Sequence, residues 1–341
     1  MSVAIYYVVV IVYFTLLLFS NINKKFFRIS PYVILATFSG FRYGVGTDYF
    51  NYQNLFSQLS RDVYPWKIEI GYRYLVLFVN KIGGTQQLVF LIMSSLTVFF
   101  TYKLIKEESS NFIMSSLLYL LIGPFYLSSM NGIRQALAIA MVSYSLKFVR
   151  NGNYLKSSII TVIAGLFHSS AFLMLPITII MRKRYKIKNY LLIFMCIFTI
   201  AQSNISIKII DLLDYGKYNN YGDYSTDKTL FIFVAIGVII MYIVEKFGID
   251  EKMNLYYNMS LGSLMIILLT LLTNNVTSMV FMRFNNYFFN SYLILIPVII
   301  NKFKERELIN VLVFVFALVY FSLVIFSSNS MIPYQLNFRI F

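Results

Sequence analysis

Charge, cysteine, histidine and tryptophan are all scarce in this chain. Of 341 residues only 13% are charged, and cysteine, histidine and tryptophan occur once each. The single cysteine, Cys196, excludes an intramolecular disulfide and a cysteine metal cluster. With His168 the only histidine and no Asp-X-Asp pair, no metal and no other cofactor is expected. The first apolar run, 3–19, lacks a basic n-region and a small-residue cleavage site, so it reads as a retained span. No internal repeat, low-complexity tract or linker divides the sequence. It reads as one integral membrane domain over 1–341.

Apolar and aromatic residues fill the space, at 59% and 18% of the chain, far from soluble norms. Apolar runs long enough to cross a bilayer recur from end to end. The fold class expected is therefore all-α, a polytopic membrane bundle. It has about 10 full spans plus two half-inserted or interfacial segments. The spans fall at about 3–20, 29–41, 86–102, 111–128, 133–149, 189–202, 229–244, 254–273, 284–301 and 308–326. The two exceptions are 69–82, too short to cross comfortably, and 157–181. The main outer loops are 42–67 and 203–228, the second rich in tyrosine and aspartate.

The net charge of +15 reads as basic cytoplasmic loops rather than a nucleic-acid surface. With the 24–28 loop inside, 18 of the 29 basic residues fall on the cytoplasmic side. That count requires 157–181 to enter and leave on the same side, because both its flanks are basic. A hairpin with His168 near its tip satisfies this. Each arm of about 12 residues would rise roughly 18 Å, past mid-membrane.

This topology gathers the unusual residues on the outer face. Arg42, Arg134 and Arg283 stand at the outer ends of spans, with Asp48 close behind Arg42 and Gln135 beside Arg134. Arginine is costly in hydrocarbon, so these residues either line a vestibule or snorkel to the interface. Guanidinium forks suit phosphate oxygens, and a transferred hydroxyl needs a base. His168 is the first candidate base, or else a packing residue. Asp48 is the second, or else a helix cap or a partner of Arg42. Glu69 reads as a dipole-compensating acid at the start of a helix, or else as a catalytic residue. Tyr49 and Tyr52 either stack on sugar rings or belong to an aromatic belt.

An ordered set of short motifs carries a resemblance. The stretches are Arg42-Tyr-Gly-Val-Gly-Thr-Asp-Tyr49 with Tyr52, Glu69-Ile-Gly-Tyr72, Ile133-Arg-Gln-Ala-Leu-Ala138, Phe167-His-Ser-Ser-Ala171 and Pro333-Tyr334. Together they resemble the EpsG-like branch of the Wzy-type polysaccharide polymerases. The resemblance implies a glycosyltransferase of the bacterial inner membrane. Such an enzyme joins oligosaccharide units carried on undecaprenyl pyrophosphate, on the periplasmic side, into O-antigen, capsule or exopolysaccharide. It implies catalytic roles for His168 or Asp48 and substrate-binding roles for Arg42, Arg134, Gln135, Arg283, Tyr49 and Tyr52. The implied partners are the lipid-linked oligosaccharide, membrane lipids and a chain-length regulator protein. Two alternatives remain at this stage: an O-antigen ligase-like transferase, and a flippase that binds the same lipid without chemistry.

Overall fold

The computed structural model describes all residues except 1, 62, 64–67, 204–228, 274 and 329. The expected loop 203–228 and the end of 42–67 therefore lie almost wholly outside the described residues. The chain divides into two compact units, Met1–Pro176 with Phe303–Phe341, and Ile177–Lys302.

Among the described residues there are fifteen α-helices and one short β-ribbon. The first unit holds α1 (Ser2–Leu18), α2 (Lys24–Gly40), α3 (Tyr49–Ser60), α4 (Ile70–Lys81), α5 (Gln86–Glu108), α6 (Phe112–Leu121), α7 (Ile133–Arg150) and α8 (Tyr154–Gly165). Helix α9 (Met174–Ile180) follows. The second unit holds α10 (Ile187–Ala201), α11 (Leu230–Phe247), α12 (Asn254–Leu272), α13 (Asn275–Phe289) and α14 (Ser291–Ile300). The chain then returns to the first unit with α15 (Arg306–Ser327).

Four helical segments are long and apolar enough to cross a membrane: Gln86–Glu108, Leu230–Phe247, Glu251–Leu272 and Arg306–Ser327. They coincide with four of the expected spans. Some of the other expected spans are shorter helices or are interrupted, whereas the one over 133–149 is a single helix, Ile133–Arg150. The span expected over 111–128 is only Phe112–Leu121. It is followed by Gly123 and Pro124, and a proline ring constrains the residue before it and offers no N–H. The span expected over 284–301 is two helices, with Asn290 between α13 and α14 and Pro297 inside the second. A window of mean hydropathy does not weigh a proline's effect on the backbone.

Local capping starts several helices. The side chains of Asn23, Asn111 and Asn153 each accept a backbone N–H three residues on, at 3.1 Å. In the first unit α5 packs against α2 and α7, and α7 packs against α8. Helices α2 and α5 approach closely at Gly40, where a Cβ would lie 2.9 Å from the Cα of Leu91. The interior is rich in tyrosine, and several of the hydroxyls bond to neighbours. Tyr6 donates to the Met331 carbonyl at 2.7 Å and Tyr126 to that of Leu35 at 2.6 Å. In a membrane core such partners remove the cost of a bare hydroxyl.

The C-terminal tail returns to the start of the molecule. Strand β1 (Arg42–Tyr43) pairs antiparallel with β2 (Gln335–Leu336), setting Arg42 opposite Leu336. The ring of Tyr334 stacks on Phe38 at 4.2 Å, and its hydroxyl donates to the Phe38 carbonyl. Two further backbone bonds, Gly46 N–H to Ser330 at 2.9 Å and Asn337 N–H to Phe41 at 2.8 Å, complete a cover over the Arg42 loop. The closing Pro333-Tyr334 motif is thus part of one structure with the Arg42 motif.

Candidate functional site

The segment 157–181 breaks where His168 stands. Helix α8 ends at Gly165, and a 3-10 helix, Ser169–Leu173, begins directly after His168. At the break a Cβ on Gly165 would sit 2.5 Å from the ring of Phe172, which would have to move aside. The start of α4 fits into this corner. The Gly71 N–H donates to the Leu166 carbonyl at 2.7 Å, and a Cβ on Gly71 would lie 2.8 Å from that same oxygen. Only glycine lets α4 come this near. The approach brings Glu69, the residue before α4, against His168.

Glu69 does not cap its own helix. Its Oε1 lies 3.0 Å from His168 Nδ1, and its Oε2 accepts from Arg134 Nη1. A carboxylate can only accept, so Nδ1 carries the proton and Nε2 carries the lone pair in the neutral ring. Nε2 has no partner among the described residues. Arg134 occupies the first turn of α7, and its guanidinium lies 5.9 Å from the Tyr52 ring centroid and 5.6 Å from that of Tyr72. Its Nε is buried with no acceptor among the described residues. The three side chains are neither sealed nor free: Arg134 is 24%, His168 21% and Glu69 14% exposed. Burial alone would raise the carboxyl of Glu69. The hydrogen bond to His168 and the charge of Arg134 outweigh it and hold the group below the usual range. It is an anion at neutral pH.

The other expected site residues fall in different places. Arg42 is completely buried and turned inward. Its Nη1 donates to the Ser39 carbonyl at 2.5 Å, Nη2 to that of Met130 at 2.7 Å and Nε to that of Val45 at 3.2 Å. The guanidinium also lies 4.5 Å from the Phe90 ring centroid. Nearby, the Thr47 N–H donates to the Asn131 side chain at 2.9 Å. At Gly46, with φ of 97°, a Cβ would meet that Asn131 oxygen at 2.8 Å. The Arg42 loop is therefore seated on residues 130–131, just ahead of the helix that carries Arg134. Asp48 is half-buried before α3, and its side chain caps no N–H. Tyr49 is buried, its hydroxyl directed at Gln87 Oε1 at 3.4 Å. Tyr52 is buried between Arg134, Tyr72 and Phe90. Gln135 is half-buried on the first turn of α7. Arg283 lies in the second unit, on α13.

The structure thus brings together His168, Arg134 and Tyr52, and adds residues that the sequence did not single out for the site. Glu69 and Tyr72 enter the cluster directly. Gln87 enters through the Arg42 loop, its amide donating to the carbonyls of Gly40 and Arg42 at 2.5 and 3.0 Å. The spacing Glu69-Ile-Gly-Tyr72 was the available signal. It holds an acid, a close-approach glycine and an aromatic within one helical turn. Among the described residues, no three His, Cys, Asp or Glu side chains are grouped to hold a metal ion.

Long apolar helices, with a carboxylate, an imidazole and a guanidinium gathered at a helix break, define a multi-pass α-helical membrane protein with a half-buried ionisable site. The chain belongs to the EpsG family, whose model matches residues 25–336. Membership links it to exopolysaccharide biosynthesis. No curated protein and no solved structure matches it.

Proposed function

We propose that this protein is a metal-independent, Wzy-type glycosyltransferase of the bacterial cytoplasmic membrane. It joins oligosaccharide units carried on undecaprenyl pyrophosphate into a surface polysaccharide on the periplasmic side. The observation that carries the reading is the pairing of His168 with Glu69 beside Arg134. The site holds a base with a fixed tautomer next to a cation with N–H groups to offer.

The roles follow from the chemistry. The acceptor sugar hydroxyl attacks the anomeric carbon of the donor chain. Its proton passes to His168 Nε2, the new carbon–oxygen bond forms, and the bond to the pyrophosphate oxygen breaks with its electron pair leaving on phosphate. Arg134 binds the pyrophosphate through the N–H groups that Glu69 does not take. Tyr52 and Tyr72 wall the guanidinium and keep it oriented. Arg42 acts at one remove. It fixes the loop seated on Met130 and Asn131, and so the start of α7. Asp48 is the second acid of the region and the base to examine if His168 is silent. Gln135 and Tyr49 are the further substrate-binding residues proposed in the first unit, Arg283 is proposed for substrate binding in the second unit, and a chain-length regulator and membrane lipids are the proposed partners.

Deleting the gene and sizing the surface polysaccharide tests this reading. A product of single repeat units supports it. Complete loss of surface product indicates a flippase, and long chains left on their lipid indicate a ligase; either outcome overturns it.

A further inference from the structure

Glu69 serves two partners at once. One carboxylate oxygen holds Arg134 and the other, 3.0 Å from Nδ1, holds His168. A guanidinium and an imidazole bonded to the same carboxylate are close enough for their charges to oppose each other. The guanidinium and the carboxylate act on the imidazole in opposite senses. An anion placed on Arg134 removes that opposition and leaves the carboxylate's charge to the imidazole. We infer that Glu69 couples donor binding to base strength: a lipid pyrophosphate seated on Arg134 makes His168 the stronger base, so the acceptor hydroxyl is activated more strongly when a donor is in place. The inference rests on the proposed roles of Arg134 and His168 and names Glu69 as the positioning residue between them.

The arrangement suits a transferase exposed to water. A base that is stronger in the donor complex acts most when there is something to transfer. The proton leaving the acceptor then comes to rest between a carboxylate and the departing phosphate, where its charge is matched on both sides. The two phenols beside Arg134 do not compete. Tyr72 on α4 and Tyr52 on α3 are phenols that burial holds above their ordinary value, so they stay neutral. Asp48, ahead of α3, acts on Tyr52. By linkage the effect is reciprocal, so protonated His168 must in turn hold pyrophosphate more tightly.

His168 is the only histidine, so protein labelled with 15N-histidine carries one imidazole signal pair. The full-length protein in lipid nanodiscs is titrated with pH, alone and with saturating farnesyl pyrophosphate as the probe. In the wild type the probe is expected to raise the His168 midpoint by about one pH unit, and its affinity to fall about tenfold as pH rises through that midpoint. In Glu69→Gln the shift is expected to shrink to the small part due to phosphate charge alone. Should that variant not fold, Arg134→Met without ligand provides the second measurement. It removes the opposing charge permanently and is expected to raise the midpoint unaided. Binding of the probe with no shift in wild type, an equal shift in Glu69→Gln, or an unmoved midpoint in Arg134→Met overturns the coupling alone. Failure of the wild type to bind the probe overturns the role of Arg134 as well.

Discussion

Replacing His168 with alanine is expected to leave a folded, membrane-resident protein that no longer joins repeat units. General-base catalysis contributes roughly 10²–10⁴-fold, so polymer formation should fall by about that factor. Single lipid-linked units should accumulate in its place. Folding should survive, because the ring makes one hydrogen bond to Glu69 and stays partly exposed. The measurement is a gel ladder of lipid-linked saccharide alongside the level of protein in the membrane. Chains of normal length and rate would exclude His168 as the base. An Asp48→Asn variant would then decide, since it keeps the shape and removes the charge.

Two arginine-to-lysine substitutions should separate binding from scaffolding. Arg134→Lys keeps a cation near Glu69 but loses the planar fork that serves a carboxylate and a phosphate together. Charge-assisted hydrogen bonds are worth about 1.5–3 kcal/mol, so polymerisation should drop roughly ten- to hundredfold with protein level nearly unchanged. Arg42→Lys should act differently. Its guanidinium is buried and bonded to the carbonyls of Ser39, Val45 and Met130, and a lysine cannot reach all three. Losing such contacts from a buried charge should cost about 3 kcal/mol and show as lower thermal stability and lower accumulation. A stable but inactive Arg42→Lys protein would move Arg42 from the scaffold to the substrate. A destabilised Arg134→Lys protein would do the reverse.

Much of the architecture could be read from hydropathy and charge. The helices at 86–108, 230–247 and 306–327 are long, uniform and uninterrupted, and composition alone marks them. Basic flanks on both sides of 157–181 pointed to a hairpin that enters and leaves on one side with His168 near its tip; the structure has a break there, between α8 and a 3-10 helix. Hydropathy failed where a single residue governs the backbone, as at Pro124. The site was only half legible. His168 and Arg134 stood out as a lone histidine and an arginine at a span end. Glu69 did not, because an acid at a helix start already has a sufficient local explanation. Its actual partners are 65 and 99 residues away in sequence, and no local rule links them. Arg42 showed the opposite problem. Its charge at a span end suggested an outward-facing ligand, whereas the carbonyls that take its N–H groups belong to a loop whose path only the fold reveals.

The central claim is that this chain itself forms the glycosidic bond between lipid-linked units. Reconstituting the purified protein in liposomes with the undecaprenyl-pyrophosphate-linked repeat unit tests it most directly. The account predicts a ladder of lipid-linked oligomers, formed without nucleotide sugar and absent with the His168→Ala protein. Units that remain single with wild-type protein, or that cross the bilayer unchanged, would contradict it.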